Sequence, residues 1–126
     1  MTNKIPISII TITLNNHEGL KNTHESLIDQ TFQNYEWIVI DGESTDGTVK
    51  YLETTNAVWI SEKDAGIYDA MNKGIERANG EYLLFLNSGD YLSDPGILQI
   101  IRDVIREENP DFIYGDSFEL IRDAKQ

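Results

Sequence analysis

The chain has 126 residues, a length that fits one ordinary domain. Hydrophobic residues make up 40% and charged residues 25%, so we expect a folded core rather than disorder. Asp and Glu total 22 against 10 Lys and Arg, a net charge of -12, which argues against nucleic acid as a partner because phosphate backbones are bound by clustered cations. The absence of cysteine excludes disulfides, thiolate zinc sites and cysteine nucleophiles.

The first residues do not have the pattern of a secretory signal. Pro6 and the pair Asn15-Asn16 interrupt the apolar run that such a signal needs. No stretch approaches the roughly 20 apolar residues of a membrane span. We therefore expect a cytoplasmic protein without a transmembrane segment.

Strand-like and helix-like segments alternate along the chain. Runs of β-branched and aromatic residues predict five strands, at 5–14, 36–41, 57–60, 81–86 and 111–114. Helical spacing and capping residues predict four helices between them, at 17–32, 46–53, 67–78 and from Ser93 to Asn109. This alternation predicts βαβ units, a mainly parallel sheet and right-handed crossovers. The pattern does not determine the structure of the chain after Asp116.

Capping and apolar residues refine the helices. Ser44 or Thr45 is expected to cap the second helix. The sheet-facing side of the third helix is predicted to consist of Ile67, Ala70, Met71, Gly74, Ile75 and Ala78. That of the fourth helix is predicted to consist of Ile97, Ile100, Ile101, Val104 and Ile105.

Polar residues follow directly after the predicted strands, and the strand starts carry no comparable cluster. They are Asn15, Asp41, Glu62, Asp64, Asn87, Asp90 and Asp116. If the strands are parallel, these residues share the carboxyl-end edge of the sheet, where open α/β sheets bind ligands. The sequence therefore predicts a ligand site along that edge.

Asp41 and Asp90 are the strongest candidates for binding residues. Asp41 follows the buried segment 38–40, so its carboxylate must find donors either from the protein or from a base or ribose. The loop 41–48 also reads as a tight turn with a helix cap. Asp90 could hold Mg²⁺ or Mn²⁺ through hard oxygens, because a diphosphate on so acidic an edge needs a bridging cation.

The other polar and aromatic residues carry weaker signals. The amides that begin the third helix, after Asp64 and Gly66, could bind a phosphate. Lys73 and Asp69 are expected to form an exposed ion pair. His17 and His24 lack metal-ligand spacing. Tyr68 and Tyr91 could stack on a base or sugar but are expected to pack against the protein.

Several ordered blocks resemble the inverting family 2 glycosyltransferases. The family opening is matched at Ser8 to Asn15, with Leu20, Ser26-Leu27 and Gln30 after it, and the acidic block at Glu36 to Thr48. Further blocks are matched at Gly66 to Ile75 and Gly80 to Asp90, although Met71, Asn87 and Gly89 depart from the usual residues. The variant with Tyr114 to Asp116 resembles a subgroup of bacterial surface-polysaccharide enzymes of the colanic-acid type.

The resemblance implies a set of site residues. Asp90 would be the metal ligand, and Asp41 would accept an N–H group of the base. The implied nucleotide-binding residues are Thr13, Asn15, Asp41, Asp64, Asn72, Ser88 and Gly89. Since Gly89 and Asn87 replace two acids of the family pattern, the acidic cluster is smaller than usual.

The resemblance also implies a fold and a reaction. The fold would be the Rossmann-like GT-A fold, a mainly parallel sheet with helices on both faces, and residues 1–126 would be its nucleotide-binding half. The reaction would transfer a sugar from a nucleoside diphosphate sugar, UDP being the commoner nucleotide, to a hydroxyl of a saccharide or lipid-linked saccharide. A divalent Mg or Mn ion would assist, and the catalytic base would lie beyond residue 126. We expect a location at the inner face of a bacterial membrane and a homodimer.

Other classes of protein fit less well. A non-catalytic nucleotide-binding module that acts with a partner chain remains an alternative. A response-regulator receiver needs an acidic pair after the first strand, and a haloacid-dehalogenase-type phosphatase needs an Asp where Ser44 stands. A dinucleotide-binding fold needs a G-x-G-x-x-G sequence, which the chain lacks.

Overall fold

The structure is a computed structural model that describes residues 5–114 and 119–123. Within these residues, strands and helices alternate from β1 to β5, and β6 is the last element. The strands are β1 (Ile7–Thr13), β2 (Tyr35–Asp41), β3 (Val58–Ser61), β4 (Tyr82–Phe85), β5 (Phe112–Tyr114) and β6 (Glu119–Arg122). The helices are α1 (His17–Ile28), α2 (Thr48–Leu52), α3 (Ile67–Arg77) and α4 (Ile97–Glu108).

The strands form one sheet in the order β3-β2-β1-β4-β6-β5. The four strands from β3 to β4 are parallel, and β6 is antiparallel to both β4 and β5. The predicted mainly parallel sheet is therefore confirmed. The sequence did not predict β6, which is short and follows a segment without a clear pattern. Asp116 lies outside the described residues.

The sheet is covered on both faces, as predicted. Alternate residues of each strand point to opposite faces. One face packs in a core with α1, α2 and α4, which contains Ile9, Val39, Leu84, Leu20, Leu52 and Leu98. The other face packs in a core with α3, which contains Ile10, Ile38, Leu83, Ala70 and Ala78.

Small residues let α3 approach the sheet closely. Ala70, Gly74 and Ala78 are buried at intervals of one helical turn. A Cβ atom on Gly74 would lie 2.5 Å from Cγ2 of Ile10, so only glycine fits this contact. Among the described helices, none is long and apolar enough to cross a membrane.

The predicted start of the fourth helix near Ser93 was wrong, because α4 begins at Ile97 after Gly96. Boundaries of α1 and α2 also differ from the prediction, for local reasons. Helix α1 ends at Ile28 rather than Phe32, because the Gln33 amide donates to the carbonyls of Leu27, Ile28 and Gln30 at 3.0, 3.2 and 2.6 Å and so satisfies the helix end. Helix α2 begins at Thr48, after Gly47 with a φ of 100°. Its first amide binds Oδ1 of Asp46 at 3.1 Å, so the expected cap at Ser44 or Thr45 was wrong.

The predicted apolar faces were also partly wrong. Ile67 is 55% exposed and Ile100 is 63% exposed. Ile67 is the first residue of α3, ahead of the turn that contacts the sheet. On α4 the fully buried residues are Leu98 and Ile101, so the face that packs against the core is centred on these residues and does not include Ile100. Ile100 therefore lies at the solvent-facing edge of the apolar stripe.

Candidate functional site at the carboxyl edge of the sheet

The loop after β1 is bound to the loop after β2. The backbone N–H of Asn15 donates to Oγ of Ser44 at 2.7 Å, and Oδ1 of Asn15 accepts the N–H of Thr45 at 2.8 Å. Asn15 has a φ of 47°, a left-handed conformation that asparagine adopts more readily than most residues. The predicted site residue Asn15 thus fixes the loop that follows Asp41.

The same β1 loop is bound to the loop after β4. Asn16 caps α1 by accepting the N–H of Gly19 at 3.1 Å, and its amide donates to the carbonyl of Ser88 at 3.3 Å. The Ser88 hydroxyl donates back to the carbonyl of Asn16 at 3.1 Å. These reciprocal bonds place the predicted residues Asn15 and Ser88 on adjacent loops.

Asp46 makes a third connection between these loops. Its Oδ2 accepts the backbone N–H of His17 at 3.0 Å. The hydroxyl of Thr48 donates to its Oδ1 at 2.6 Å. The hydrogen bond from the Thr48 hydroxyl is the main cause that lowers the pKa of Asp46 below its usual value, and backbone N–H donors, among them that of His17, lower it further. The carboxylate form of Asp46 is therefore the form that connects α1 to α2.

Asp41 is fully buried, and the protein itself supplies its donors. Oδ2 accepts the N–H of Ser44 at 2.9 Å and the hydroxyl of Ser61 at 2.6 Å, while Oδ1 accepts the hydroxyl of Ser44. A carboxylate offers about four acceptor positions, so one remains beyond these three donors. The requirement that Asp41 find donors is met within the chain.

Thr13 is the register partner of Asp41 on β1. Its carbonyl accepts the N–H of Gly42 at 3.0 Å, so this backbone group is already used in the sheet. Its hydroxyl is buried and has no hydrogen-bond partner among the described residues. The structure therefore brings Thr13 beside Asp41.

The loop after β3 meets the loop after β2 at Gly42. A Cβ atom on Gly42 would lie 3.2 Å from Oδ2 of Asp64 and 3.4 Å from Cδ1 of Leu14, so Asp64 belongs to this edge. Asp64 also accepts the N–H of Gly66 at 3.1 Å, and Asp69 accepts that of Ala65 at 2.9 Å. Two amides beside the start of α3 are therefore occupied by carboxylates.

Glu43, which follows Gly42 in the loop after β2, has an unusual backbone conformation. Glu43 has a φ of 76°, a left-handed conformation that glycine adopts without strain. The loop after Asp41 is therefore strained at Glu43.

Asp90 lies at the end of a tight turn after β4. Its Oδ2 accepts the N–H of Asn87 at 3.2 Å, and its own N–H donates to the carbonyl of Asn87 at 2.8 Å. Gly89 occupies the left-handed position of this turn with a φ of 100°. The exposed Asp90 borders a recess of about 340 Å³, which Gly89, Tyr91 and Ser93 also line.

The turn offers few protein ligands for a metal ion. No group of three or more His, Cys, Asp or Glu among the described residues is arranged to hold one. The Asp90 carboxylate is a hard oxygen donor of the kind that Mg²⁺ and Mn²⁺ prefer. The Asn87 side-chain oxygen is buried and has no partner among the described residues. The donor set therefore fits a cation that takes most of its ligands from a phosphate and water.

Asn72 and Lys73 lie on α3. Asn72 is exposed, about half a turn of the helix away from the stripe of Ala70 and Gly74 that packs on the sheet. Lys73 binds Asp69 at 3.5 Å, which confirms the predicted ion pair, and Glu62 at 3.0 Å. The hydrogen bond to Glu62 is the main cause that raises the pKa of Lys73, and the negative charge of Asp69 raises it further.

The aromatic residues divide into packed and exposed groups. Tyr68 and Tyr91 are 79% and 61% exposed, so the expectation that they pack was wrong. His24 instead stacks on Trp37 with a ring-centroid distance of 4.6 Å and contacts the hydroxyl of Tyr51 at 2.5 Å. Burial lowers the pKa of His24, as expected for a histidine in a packed cluster.

Polar residues on α1 and just after its end were missed as site residues. Ser26 accepts the N–H of Leu92 at 3.1 Å, and Gln30 accepts that of Leu98 at 3.0 Å. Gln30 also donates to the carbonyl of Asp94 at 2.7 Å. Polar residues at helical spacing among apolar ones were the available signal. With Thr23, these residues bind the segment that carries Asp90.

The family model described as "Glycosyl transferase family 2" matches residues 8–121. An uncharacterized glycosyltransferase of Mycobacterium tuberculosis is 41% identical over 114 residues, which cover 87% of this chain and 44% of the relative. TuaG of Bacillus subtilis, named for teichuronic acid biosynthesis, is 38% identical over 98 residues, which cover 71% of this chain and 38% of the relative. The chain thus spans less than half the length of these relatives.

Two solved structures share the fold. S. aureus TarS in complex with UDP-GlcNAc superposes with a TM-score of 0.76 at 26% identity, over 85% of this chain and 33% of that chain. The mannosyltransferase PcManGT of Pyrobaculum calidifontis, in complex with GDP-Man and Mn²⁺, superposes with a TM-score of 0.79 at 15% identity, over 96% of this chain and 45% of that chain. The expected GT-A-like architecture is therefore confirmed.

Proposed function

The chain belongs to glycosyltransferase family 2, and on this premise we propose that it binds the nucleotide-sugar donor of a glycosyltransferase. One observation carries the proposal: the loops after β1, β2 and β4 are bound to one another at the carboxyl edge of the sheet. Such an edge is where open α/β sheets bind nucleotides. Support also comes from TarS, which shares the fold and was solved with UDP-GlcNAc.

The base is proposed to lie beside Asp41. The acceptor position that remains on Asp41, beside the Ser44 hydroxyl on Oδ1, would take an N–H of the base. Thr13 and Asn15 would line one side of the base. The other nucleotide contacts are proposed for Asp64, Asn72, Ser88 and Gly89.

Asp90 is proposed to hold a Mg²⁺ or Mn²⁺ ion. The ion would bridge the carboxylate and the diphosphate, and so stabilise the negative charge of the departing nucleotide. A chain with a net charge of -12 needs such a bridge to hold a diphosphate near its carboxylates. PcManGT, a structure with the same fold, was solved with Mn²⁺.

The proposed reaction transfers the sugar, with inversion, from a UDP-sugar to a hydroxyl of a saccharide or lipid-linked saccharide. The relative named for teichuronic acid biosynthesis supports a role in surface polysaccharide synthesis, and we propose the colanic-acid-type subgroup. Residues 1–126 are proposed as the donor-binding half, with the catalytic base outside them, because relatives are about twice as long. A cytoplasmic location at the inner membrane face and a homodimer complete the proposal.

Thermal unfolding against nucleotides tests the proposal. The chain is heated with UDP, GDP, CMP or dTDP, each with Mn²⁺ or with EDTA. A ligand at a hundred times its dissociation constant stabilises the folded state by about 2.7 kcal/mol, which shifts the midpoint by several degrees. We expect a shift with UDP that requires Mn²⁺, whereas no shift with any nucleotide contradicts a donor site.

The alternative is a nucleotide-binding module that acts with a partner chain. It is supported by the match to the two relatives from Mycobacterium tuberculosis and Bacillus subtilis, which covers 44% and 38% of their lengths. Both functions predict UDP binding. They differ in turnover when the chain is extended to the length of its relatives. Release of UDP from a UDP-sugar by the extended protein indicates a transferase, and binding without release indicates a module.

A further inference from the structure

We propose that Thr23 is a positioning residue for the Asp90 turn, and that its hydroxyl makes Asp90 competent to hold the cation. The inference rests on the proposed function of Asp90. Thr23 lies on α1, fully buried beneath the turn of residues 87–90. Its side chain has no route to the ligand itself, so it acts through the backbone of that turn.

The Thr23 hydroxyl is hydrogen-bonded as both donor and acceptor within the turn. Its shortest contact is to the carbonyl of Asp90 at 2.6 Å, and the carbonyl of Asn87 lies 3.3 Å away. The backbone N–H of Gly89 donates to Oγ1 of Thr23 at 3.1 Å. One buried hydroxyl therefore contacts the turn at Asn87, Gly89 and Asp90, with the Asp90 carbonyl as its nearest acceptor.

These contacts exceed what a threonine in a helix ordinarily makes. A helical threonine usually donates to the carbonyl four residues earlier, and Oγ1 of Thr23 lies 3.1 Å from the carbonyl of Gly19. The 2.6 Å contact to Asp90 is shorter, so the hydroxyl proton points toward the turn. The N–H of Gly89 also donates to the carbonyl of Gly19 at 3.1 Å. Gly19 and Thr23 are one helical turn apart, so the same turn of α1 supplies both acceptors for this N–H.

The turn depends on such support because its functional side chain is exposed. The Asp90 carboxylate contacts only the N–H of Asn87 among the hydrogen bonds described for it, so the backbone sets its direction. Gly89 holds a left-handed φ of 100°, which leaves the turn with alternative conformations. Removal of the hydroxyl would leave the Asp90 carbonyl without its described partner and the Gly89 N–H with the Gly19 carbonyl alone, and the turn would rearrange to replace the lost bonds.

UDP affinity with Mn²⁺ and with EDTA, measured by calorimetry on the whole chain, tests the role of Thr23. Thr23→Val keeps the shape and removes the hydroxyl, and we expect affinity in Mn²⁺ to fall at least tenfold while affinity in EDTA is unchanged. Thr23→Ser restores the hydroxyl and should restore the response to Mn²⁺. A folded Thr23→Val variant with the affinity of the parent in Mn²⁺ overturns the proposal.

Thr55→Val is the matched control. The Thr55 hydroxyl also bridges a carbonyl and an N–H, those of Leu52 at 2.8 Å and Ala57 at 3.2 Å, but it lies in the loop before β3 at the opposite edge of the sheet. We expect this variant to bind UDP as the parent does under both conditions. A loss equal to that of Thr23→Val would mean that any broken loop contact has this effect, and would overturn a specific role for Thr23.

A second variant and amide exchange at Gly89 also test the role of Thr23. If Thr23→Val does not fold, Thr23→Ala also removes the hydroxyl and should show the same selective loss. Amide exchange needs no ligand: we expect the Gly89 N–H to exchange faster in a folded Thr23→Val or Thr23→Ala variant than in the parent, because only the Gly19 carbonyl then remains as its acceptor, and equal protection in parent and variant overturns the inference. A parent chain that binds UDP equally with Mn²⁺ and EDTA contradicts the proposed function of Asp90, and the exchange result still decides whether Thr23 holds the turn.

Discussion

Strand β2 carries a carboxylate near each end, and the two ends of the sheet use them differently. At the carboxyl end, Asp41 accepts hydrogen bonds from Ser44 and Ser61. At the amino end, Glu36 accepts the hydroxyl of Ser8 and the N–H of Asn79, both at 2.5 Å. The expectation that the strand starts carry no comparable cluster was therefore wrong. A carboxylate at a strand end does not by itself mark a binding site.

The two edges differ in what surrounds the carboxylate. At the amino edge, Gly80 packs so tightly that a Cβ atom would lie 2.5 Å from Oγ of Ser8 and 2.6 Å from its backbone nitrogen. At the carboxyl edge, the neighbouring loops leave Asn15, Gly89 and Asp90 exposed. The tightly packed polar cluster at the amino edge is therefore structural. The exposed polar groups at the carboxyl edge are available to a ligand, and this edge is the candidate site.

The largest effect on stability is expected at Gly80. Gly80→Ala places a methyl group against the backbone of β1, and the strands β1 and β4 must separate to admit it. We expect the free energy of unfolding to fall by about 3 kcal/mol, measured by urea denaturation. UDP binding by the folded fraction should be unchanged. A loss of less than about 0.5 kcal/mol would show that the amino edge is not tightly packed.

Asp41→Ala and Glu36→Ala form a matched pair on one strand. Each removes a carboxylate that accepts several hydrogen bonds, so each should lower the free energy of unfolding by about 2 kcal/mol. Only Asp41→Ala should abolish UDP binding in calorimetry. If both variants bind UDP as the parent does, the base site is not at Asp41, and if both lose binding, the effect is one of stability alone.

Asp90→Asn should have the smallest effect on stability and a selective effect on binding. The side chain is exposed, so the free energy of unfolding without ligand, measured by urea denaturation, should stay within about 0.5 kcal/mol of that of the parent. The amide is a weaker ligand for Mn²⁺ than the carboxylate, so the increase in UDP affinity caused by Mn²⁺ should disappear. An increase as large as that of the parent would exclude Asp90 as the metal ligand.

The parallel sheet could be predicted because its signals are local. Buried strands such as 38–40 are continuous runs of β-branched residues, and the polar residue after each strand gives the position of the edge. The helix termini were less predictable, because side chains elsewhere compete for the terminal backbone groups. Gln33 ends α1 in this way, and Asp46 rather than Ser44 binds the first amide of α2.

The sequence could predict which polar residues lie at the carboxyl edge of the sheet, but not how they are hydrogen-bonded. The residue types and the strand ends indicated Asn15, Asp41 and Asp90. That Asp41 is satisfied by Ser61, 20 residues later in the chain, depends on the register of β2 and β3. The contact of Thr23 with Asp90 joins residues 67 positions apart, and no local pattern reports such a contact.

The way α1 holds the segment from Asn87 to Gly96 has a consequence for the order of folding. This segment contains no helix or strand, and its bonds to Asn16, Thr23, Ser26 and Gln30 span 64 to 72 positions of sequence. Contacts of such long range form only after the intervening chain has collapsed and its loop entropy has been lost. The pairing of β1 with β4 closes a loop of similar length, from Ile7 to Tyr82, so the turn that carries Asp90 takes shape together with the docking of β4 and α1 and not before it.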